Sequence, residues 1–254
     1  MKLSVIIIAK EEEEMIKDCL DSVKWADEII FIDTGSADRT PQIAKQYATK
    51  LIDLSSKGLK YAQWRNRGLK EARGDWVFYV DADERVTPEL RREIKGIISK
   101  SHLREIAFMI PRRNFLFRKE FHWGGWWPDY VKRLFFKKKL KRWVNDLHEE
   151  PVFEGQIGKL ESPLIHLQPE TIEPMFQKSI KWSKLEAKML YETKHPPVVW
   201  WRVLRMGLTT LFDRLIKKQG FRDGAEGWIM STYQAFHTVI VYIQLWEMQQ
   251  GNEK

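Results

Sequence analysis

Short apolar runs and helix-period segments alternate along the first half of the chain. Leu3–Ala9, Glu28–Asp33, Leu51–Leu54 and Trp76–Val80 read as buried strands, being apolar runs rich in Ile, Val and Phe. Between them the spacing predicts a helix from about Glu12 to Trp25, with Met15, Ile16, Cys19, Leu20 and Val23 on one face. A second helix opens at Thr40-Pro41 and a later one at Thr87-Pro88, each a cap residue followed by proline at the first helical position. A further helix covers about Tyr61 to Ala72. This rhythm predicts an α/β fold: a mostly parallel sheet flanked by helices, with ligands beyond the carboxyl ends of its strands. After Ile98 the rhythm changes. Glu105–Ile110, Asn114–Phe117 and Val131–Phe136 read as strands, and from Thr171 the pattern is helical to the end. The expected organisation is a catalytic domain over residues 1–169 and a helical extension over 170–254.

Composition narrows the picture. The chain has 254 residues, 43% of them apolar, which suits one compact unit with a smaller appendage and argues against disorder. Its single cysteine, Cys19, excludes an intrachain disulfide, points to a reducing compartment, and falls at a core position of the first helix. The apolar run at the N-terminus is too short for a signal peptide. Trp228 to Trp246 lacks Asp, Glu, Lys and Arg but carries Ser231, Gln234, His237 and Gln244, so it makes a poor membrane span. The net charge is +8, and the segment Pro111 to Arg142 alone holds 11 Lys/Arg against 2 Asp/Glu. Such a local excess suits a phosphate-rich or anionic-lipid partner, or a solvated basic face. Nucleic acid is not expected, because no nucleic-acid-binding motif is present.

Two of the strands end in acids. The run EIIFID delivers Asp33, and DWVFYV is followed by Asp81 and Asp83 in DADE. Residues two apart in an extended segment point the same way, so Asp81 and Asp83 are expected to address one Mg²⁺ or Mn²⁺. Such a cation takes one or two carboxylates and completes its shell with substrate phosphates. Acids also cap turns, so this pair gains weight from its surroundings.

The ordered strings LSVIIIAK-EE, IIFIDTGSADRT and YAQWRNRGLKEARGDWVFYVDADE resemble glycosyltransferase family 2, with the GT-A fold. The later string from Gly124 to His166 and the string GFRDGAEGW resemble a subgroup that includes lipopolysaccharide inner-core beta-1,4-glucosyltransferases. The resemblance implies an inverting, metal-dependent transfer of a hexose from a nucleotide-sugar, UDP-glucose first, to a hydroxyl of a glycolipid or saccharide acceptor. It implies that Asp33 contacts the uracil or ribose, that Arg65 and Asn66 help hold the donor, and that Asp81 lies near the ribose or sugar. Asp83 would be a direct metal ligand, His148 would complete the metal shell, and Lys10 would lie in the donor loop. That loop departs from the family pattern: Glu11 stands where the family usually has Asn.

An inverting transfer also needs a base for the acceptor proton. Asp129 is favoured, because it follows a Trp/Gly loop suited to an acceptor; Glu149 comes next and Glu150 lies beside it. Trp126 and Trp127 are the candidate acceptor-binding rings, with core packing as their competing role. His122 and His166 read as structural histidines. On a helix from Val198 to Lys218, Trp201, Leu204, Leu208, Leu211, Phe212 and Leu215 share one face opposite basic residues. That pattern predicts binding to an anionic membrane surface, which would place the protein peripherally on the inner face of the cytoplasmic membrane, packing on the catalytic domain, or a self-association face. Two rival functions stay open: an inactive sugar- or lipid-binding homologue, which Glu11 favours, and a nucleotidyltransferase, which the missing Gly-rich loop disfavours.

Overall fold

In a computed structural model of the chain, residues 1–55, 60–100, 103–145 and 149–251 are described. They fall into two compact units, one comprising Met1–Arg113 and Asp129–Leu167, the other Asn114–Pro128 and Gln168–Lys254. The segment Asn114–Pro128 therefore groups with the C-terminal helices rather than with the strands that flank it in sequence.

The first unit begins with β1 (Leu3–Ala9), α1 (Ile16–Val23), β2 (Glu28–Asp33), α2 (Thr40–Ala44), β3 (Lys50–Asp53), α3 (Tyr61–Glu71) and β4 (Trp76–Asp81). It continues with β5 (Glu84–Val86), α4 (Pro88–Ile98) and β6 (Glu105–Leu116), the last strand running on into the second unit. The short strand β7 (Lys119–Phe121) belongs to the second unit. The first unit closes with β8 (Asp129–Phe136), β9 (Leu140–Val144), β10 (Glu150–Phe153), β11 (Gln156–Lys159) and β12 (Leu164–Leu167).

The main sheet has the order β3-β2-β1-β4-β8-β6-β12-β5. Strands β3, β2, β1 and β4 are parallel, whereas β8 runs antiparallel to both β4 and β6. The parallel block is apolar on both faces because helices cover both. Leu3, Val5, Ile7, Phe31 and Phe78 pack with α1 and α4, while Ile6, Ile30, Ile32, Val77 and Tyr79 pack with α3 and with Phe135 and Trp143. The period-two alternation of a strand assigns successive residues to these two cores.

Two elements differ from the sequence expectation for local reasons. Helix α1 starts at Ile16 instead of near Glu12, because the amides of Glu12 and Glu13 donate to Thr40 Oγ1 and Asp38 Oδ2, at 2.8 and 3.1 Å. Strand β6 passes through Pro111, which sits opposite Tyr130, so two expected strands are one. Thr87 caps α4 as its sequence suggests, its hydroxyl accepting from Leu90 N–H at 3.1 Å.

The second unit contains α5 (Ile172–Glu192), α6 (Trp200–Phe212) and α7 (Gly224–Gly251). After α6 the chain continues through a π-helical turn, Asp213–Lys217, and a 3₁₀ turn, Gly220–Asp223. Helices α6 and α7 approach closely at Gly207, where a Cβ would lie 2.6 Å from Val239 Cγ2. Leu116, Phe121, Met175 and Met230 form one core of this unit, and Ala187, Val198, Val241 and Leu245 another. Among the described residues no helix is long and apolar enough to cross a membrane.

Phe78 is fully buried in the central strand β4. Phe78→Ala is expected to destabilise the first unit by about 3–5 kcal/mol through lost burial and a residual cavity. The measurement is a lowered urea midpoint at unchanged slope.

Candidate active site

The carboxyl ends of β1, β2 and β4 lie side by side, because parallel register sets Ala9 against Asp33 and Ile8 against Asp81. Lys10, Glu11, Asp33 and Asp81 therefore share one edge of the sheet, where an open α/β sheet presents its ligand cleft. Asp33 is buried and fixed locally. It accepts from Ser36 Oγ at 2.5 Å and from the amides of Gly35 and Ser36 at 3.2 Å. Lys10 is exposed at the end of β1. Glu11 follows with φ +56°, and its amide donates to the same Ser36 hydroxyl at 2.9 Å.

At the end of β4 the charged groups form a network. Glu84 has no side-chain solvent exposure; it accepts from Arg133 Nη2 at 2.7 Å and from the Asp81 amide at 3.0 Å, with Arg112 Nη1 at 3.5 Å. Arg133 Nη2 also donates to Asp81 Oδ2. Arg65, on α3, reaches Asp81 Oδ1 and Glu149 Oε1, each at 3.4 Å, while its guanidinium lies 4.8 Å from the Trp143 ring centroid. Arg112 donates through Nε and Nη2 to Asp129 Oδ2 at 2.9 and 2.7 Å. Burial alone would raise the Asp81 pKa, but the guanidiniums of Arg133, Arg65 and Arg112 outweigh it and hold the carboxyl well below its usual range. Burial likewise opposes the charge of Arg133, and Asp81 with Glu84 raises its pKa instead.

Asp83 has other partners than Asp81 has. Residues 82 and 83 form a turn between β4 and β5, so the extended geometry expected for Asp81 and Asp83 does not hold there. Arg85 braces this turn, donating to the carbonyls of Ala82, Glu84 and Met15 at 2.8–2.9 Å. Asp83 Oδ2 lies 3.4 Å from His166 Nε2, and the Asp83 carbonyl accepts from Leu167 N–H at 2.8 Å. A third of the Asp83 side chain stays open to solvent. Oxygen and imidazole nitrogen together suit a divalent cation whose remaining ligands come from substrate phosphates. Among the described residues no cluster of three His, Cys, Asp or Glu side chains forms a complete protein cage. Cys19 plays no part in such a set: it is buried, its Sγ donates to the Asp81 carbonyl at 3.4 Å, and burial pushes its thiol pKa up.

Arg65 thus joins Asp81 and Glu149 directly, while Arg133, Glu84 and Arg112 link Asp81 to Asp129. Arg112 and Arg133 belong to the basic segment that the sequence offered to phosphates or lipid, and here carboxylates hold them; Glu84 was not singled out by the sequence. Asn66 is engaged at both ends of its amide, donating to the Trp143 carbonyl at 2.9 Å and accepting from Trp143 N–H at 2.8 Å. His148 lies outside the described residues. His166 had read as a structural histidine; its position beside Asp83 comes from antiparallel pairing of β12 with β5, which sets His166 against Glu84. No local motif signals that pairing. In the second unit Trp126 packs inward, edge-on to Phe121 with ring centroids 6.0 Å apart, whereas Trp127 remains 41% exposed.

The parallel block continued by antiparallel β8 and β6, with acids at the strand ends and helices on both faces, is the GT-A arrangement. Residues 4–150 match the model of Glycosyl transferase family 2, and the chain belongs to that family. It is 25% identical over 263 residues to the lipopolysaccharide core biosynthesis glycosyltransferase LpsC of Rhizobium meliloti, an alignment covering 97% of this chain and 93% of LpsC. It is 30% identical over 201 residues to the uncharacterized glycosyltransferase RT0209 of Rickettsia typhi, covering 74% of this chain and 68% of that one. In fold it is similar to residues 1–349 of S. aureus TarS, solved in complex with UDP-GlcNAc. There the TM-score is 0.51 at 16% identity, covering 99% of this chain and 92% of that one. The chain is accordingly a glycosyltransferase.

The left-handed backbone at Glu11 gives a physical reason for asparagine at this position, since Asn adopts φ > 0 more readily than Glu. Glu11→Asn is expected to stabilise the protein by about 0.5–1 kcal/mol, and Glu11→Ala to give no such gain. Paired denaturation curves check this.

Proposed function

We propose that this glycosyltransferase is an inverting, metal-dependent enzyme that moves a hexose from a UDP-sugar to a hydroxyl of a glycolipid such as the lipopolysaccharide core. The observation that carries this is the alignment of Asp33 and Asp81 along the strand ends, with Asp83 turned beside His166. Asp33, preset by Ser36, would receive the uracil or ribose, and Lys10, in the donor loop, would help bind the donor. Arg65 and Arg133 keep Asp81 ionised and directed toward the ribose or sugar. Asn66 would act by holding α3 to Trp143, so that Arg65 is in place. Asp83 and His166 would hold Mg²⁺ or Mn²⁺, with His148 as a further ligand in the same role. The cation, when bound, supplies positive charge against which a diphosphate leaves.

The acceptor hydroxyl attacks the anomeric carbon opposite the departing diphosphate, and its proton passes to a carboxylate. Asp129 is the proposed base: Arg112 meets its Oδ2 and fixes its orientation. Glu149, held by Arg65, is the second candidate. Trp127 would face the acceptor, and Trp126 would support it from the core. The strands within residues 1–169 would carry the chemistry. The extension over 170–254 would attach the enzyme to the inner face of the cytoplasmic membrane. The exposed face of α6 and its continuation favours this attachment: Trp200, Trp201, Leu204, Leu208, Phe212 and Ile216 are all more than 45% exposed, while Leu215 turns inward. Arg202 and Arg205 flank this face, both within 5.7 Å of the Trp201 ring centroid. An apolar arc edged by cations matches an anionic lipid surface.

Incubation with UDP-glucose and Mn²⁺ is expected to release UDP slowly, and Asp83→Ala to abolish that release. Asp129→Asn is expected to lower transfer to acceptor by roughly 10²–10⁴-fold. If Glu149→Gln alone produces that loss, the base is reassigned; if no nucleotide-sugar is turned over, the transferase chemistry proposed here fails. At low salt the protein is expected to cosediment with phosphatidylglycerol vesicles but not with phosphatidylcholine ones. The Leu204→Glu/Leu208→Glu double variant should remain in the supernatant, and retention equal to that of the parent would remove the membrane proposal.

A further inference from the structure

The loop after β7 and the turn after α6 form a groove within the second unit. It encloses about 670 Å³ and is lined by His122, Trp123, Gly125, Trp127, Lys217 and Lys218, with no member from the strand unit. The catalytic proposal uses only Trp127 from this set.

The groove is preformed. The Asp223 carboxylate accepts from the amides of His122 and Trp123 at 3.2 and 2.9 Å. The Gly124 amide donates to the Lys218 carbonyl at 2.8 Å, and Arg214 Nη1 donates to the Gly124 carbonyl at 3.0 Å. Gly124 and Gly125 have φ of +67° and +87°, a conformation glycine adopts without strain, and a Cβ at Gly125 would fall 2.7 Å from Arg214 Nη1. A loop so tied loses little freedom when a ligand arrives.

Its chemistry is both aromatic and cationic. The Trp127 ring is open to solvent and offers a flat apolar face, the shape that matches the C–H face of a sugar ring. Arg222 covers Trp123 at 3.8 Å from the ring centroid, which fixes that ring as a wall. From Asp213 to Asp223 the turn carries Arg214, Lys217, Lys218 and Arg222 against two aspartates. Asp213 pairs with Lys218 at 2.8 Å and Asp223 accepts from the loop amides, while Glu120 lies 3.7 Å from His122. Lys217 is therefore the lining cation that carries the charge argument, with Lys218 beside it already paired to Asp213.

We propose that this groove binds an anionic saccharide, its ring on Trp127 and its carboxylate or phosphate against Lys217, as the charged part of the acceptor. The inference rests on the acceptor role given to Trp127 above, and it narrows the acceptor to a saccharide bearing negative charge.

The test uses the full chain without any donor, so its outcome is separate from that of the transfer assay. With six histidines in the chain, the His122 ring resonances can be assigned by their loss in His122→Gln. Methyl glucoside, glucuronate, glucose 6-phosphate and inorganic phosphate are titrated in turn. At least one anionic sugar is expected to shift His122 saturably and to bind roughly 10-fold or more tightly than methyl glucoside, with the advantage fading at high salt. Whichever of glucuronate and glucose 6-phosphate binds better identifies the charge as carboxylate or phosphate. Trp127→Ala should weaken every sugar, and Lys217→Glu should erase only the preference for charge. Equal binding of methyl glucoside, inorganic phosphate binding as well as the sugars, or an unmoved His122 in the folded protein would each overturn the proposal. Binding without donor turnover would instead remove the transferase chemistry and leave the groove intact.

Discussion

A carboxylate sealed from solvent governs the end of β4. An isolated ionised Glu84 would be too costly to bury, so the fold must bring it partners. Arg133 comes from β8, Arg112 from β6, and an amide from its own turn. Both arginines lie on the antiparallel strands that continue the parallel block. Meeting that demand gathers guanidiniums around Asp81 and Asp129 and keeps Asp81 ionised. The helices and apolar cores position strands to within a register; the buried charge determines which polar groups occupy the space beyond their ends. Because each arginine is shared between carboxylates, the network behaves as one unit, and its members are not independent contributors.

Much of the parallel block was legible in the sequence. Strands β1, β2 and β4 announce themselves as apolar runs bounded by acids, and Thr87-Pro88 gives the start of α4, because these signals are local. What was not legible depends on pairing between distant segments. The approach of His166 to Asp83 follows from β12 lying against β5, and the bonds of Asn66 to Trp143 follow from α3 packing on β9. The D-x-D spacing suggested two carboxylates side by side, but a turn intervenes after Asp81 and sends them to different partners. At Glu11 the departure from the family pattern was visible, while its physical content, a left-handed backbone wired through Ser36 to Asp33, needed the fold.

The basic segment from Pro111 to Arg142 shows how a charge count misleads when partners are unknown. Arg112, Lys132, Arg133 and Lys141 meet Asp129, Glu150, Asp81 with Glu84, and Glu154 within the first unit. Arg118 and Lys119 meet Glu170 and Glu226 within the second. Much of the apparent excess is therefore balanced by acids of the same unit, with Arg112 and Arg133 in mostly buried pairs and the others at the surface. Lys138, Lys139 and Arg142 of the same segment stay exposed, as do several cations around α6 and the turn after it.

The anchoring of the tryptophan loop by Asp223 bears on how such enzymes diversify. The loop takes its shape from a carboxylate about 100 residues downstream. A new loop spliced in without its matching turn would arrive unsupported, its amides facing the wrong acceptors. A replaced loop should keep this shape only when the two segments travel together as a cassette.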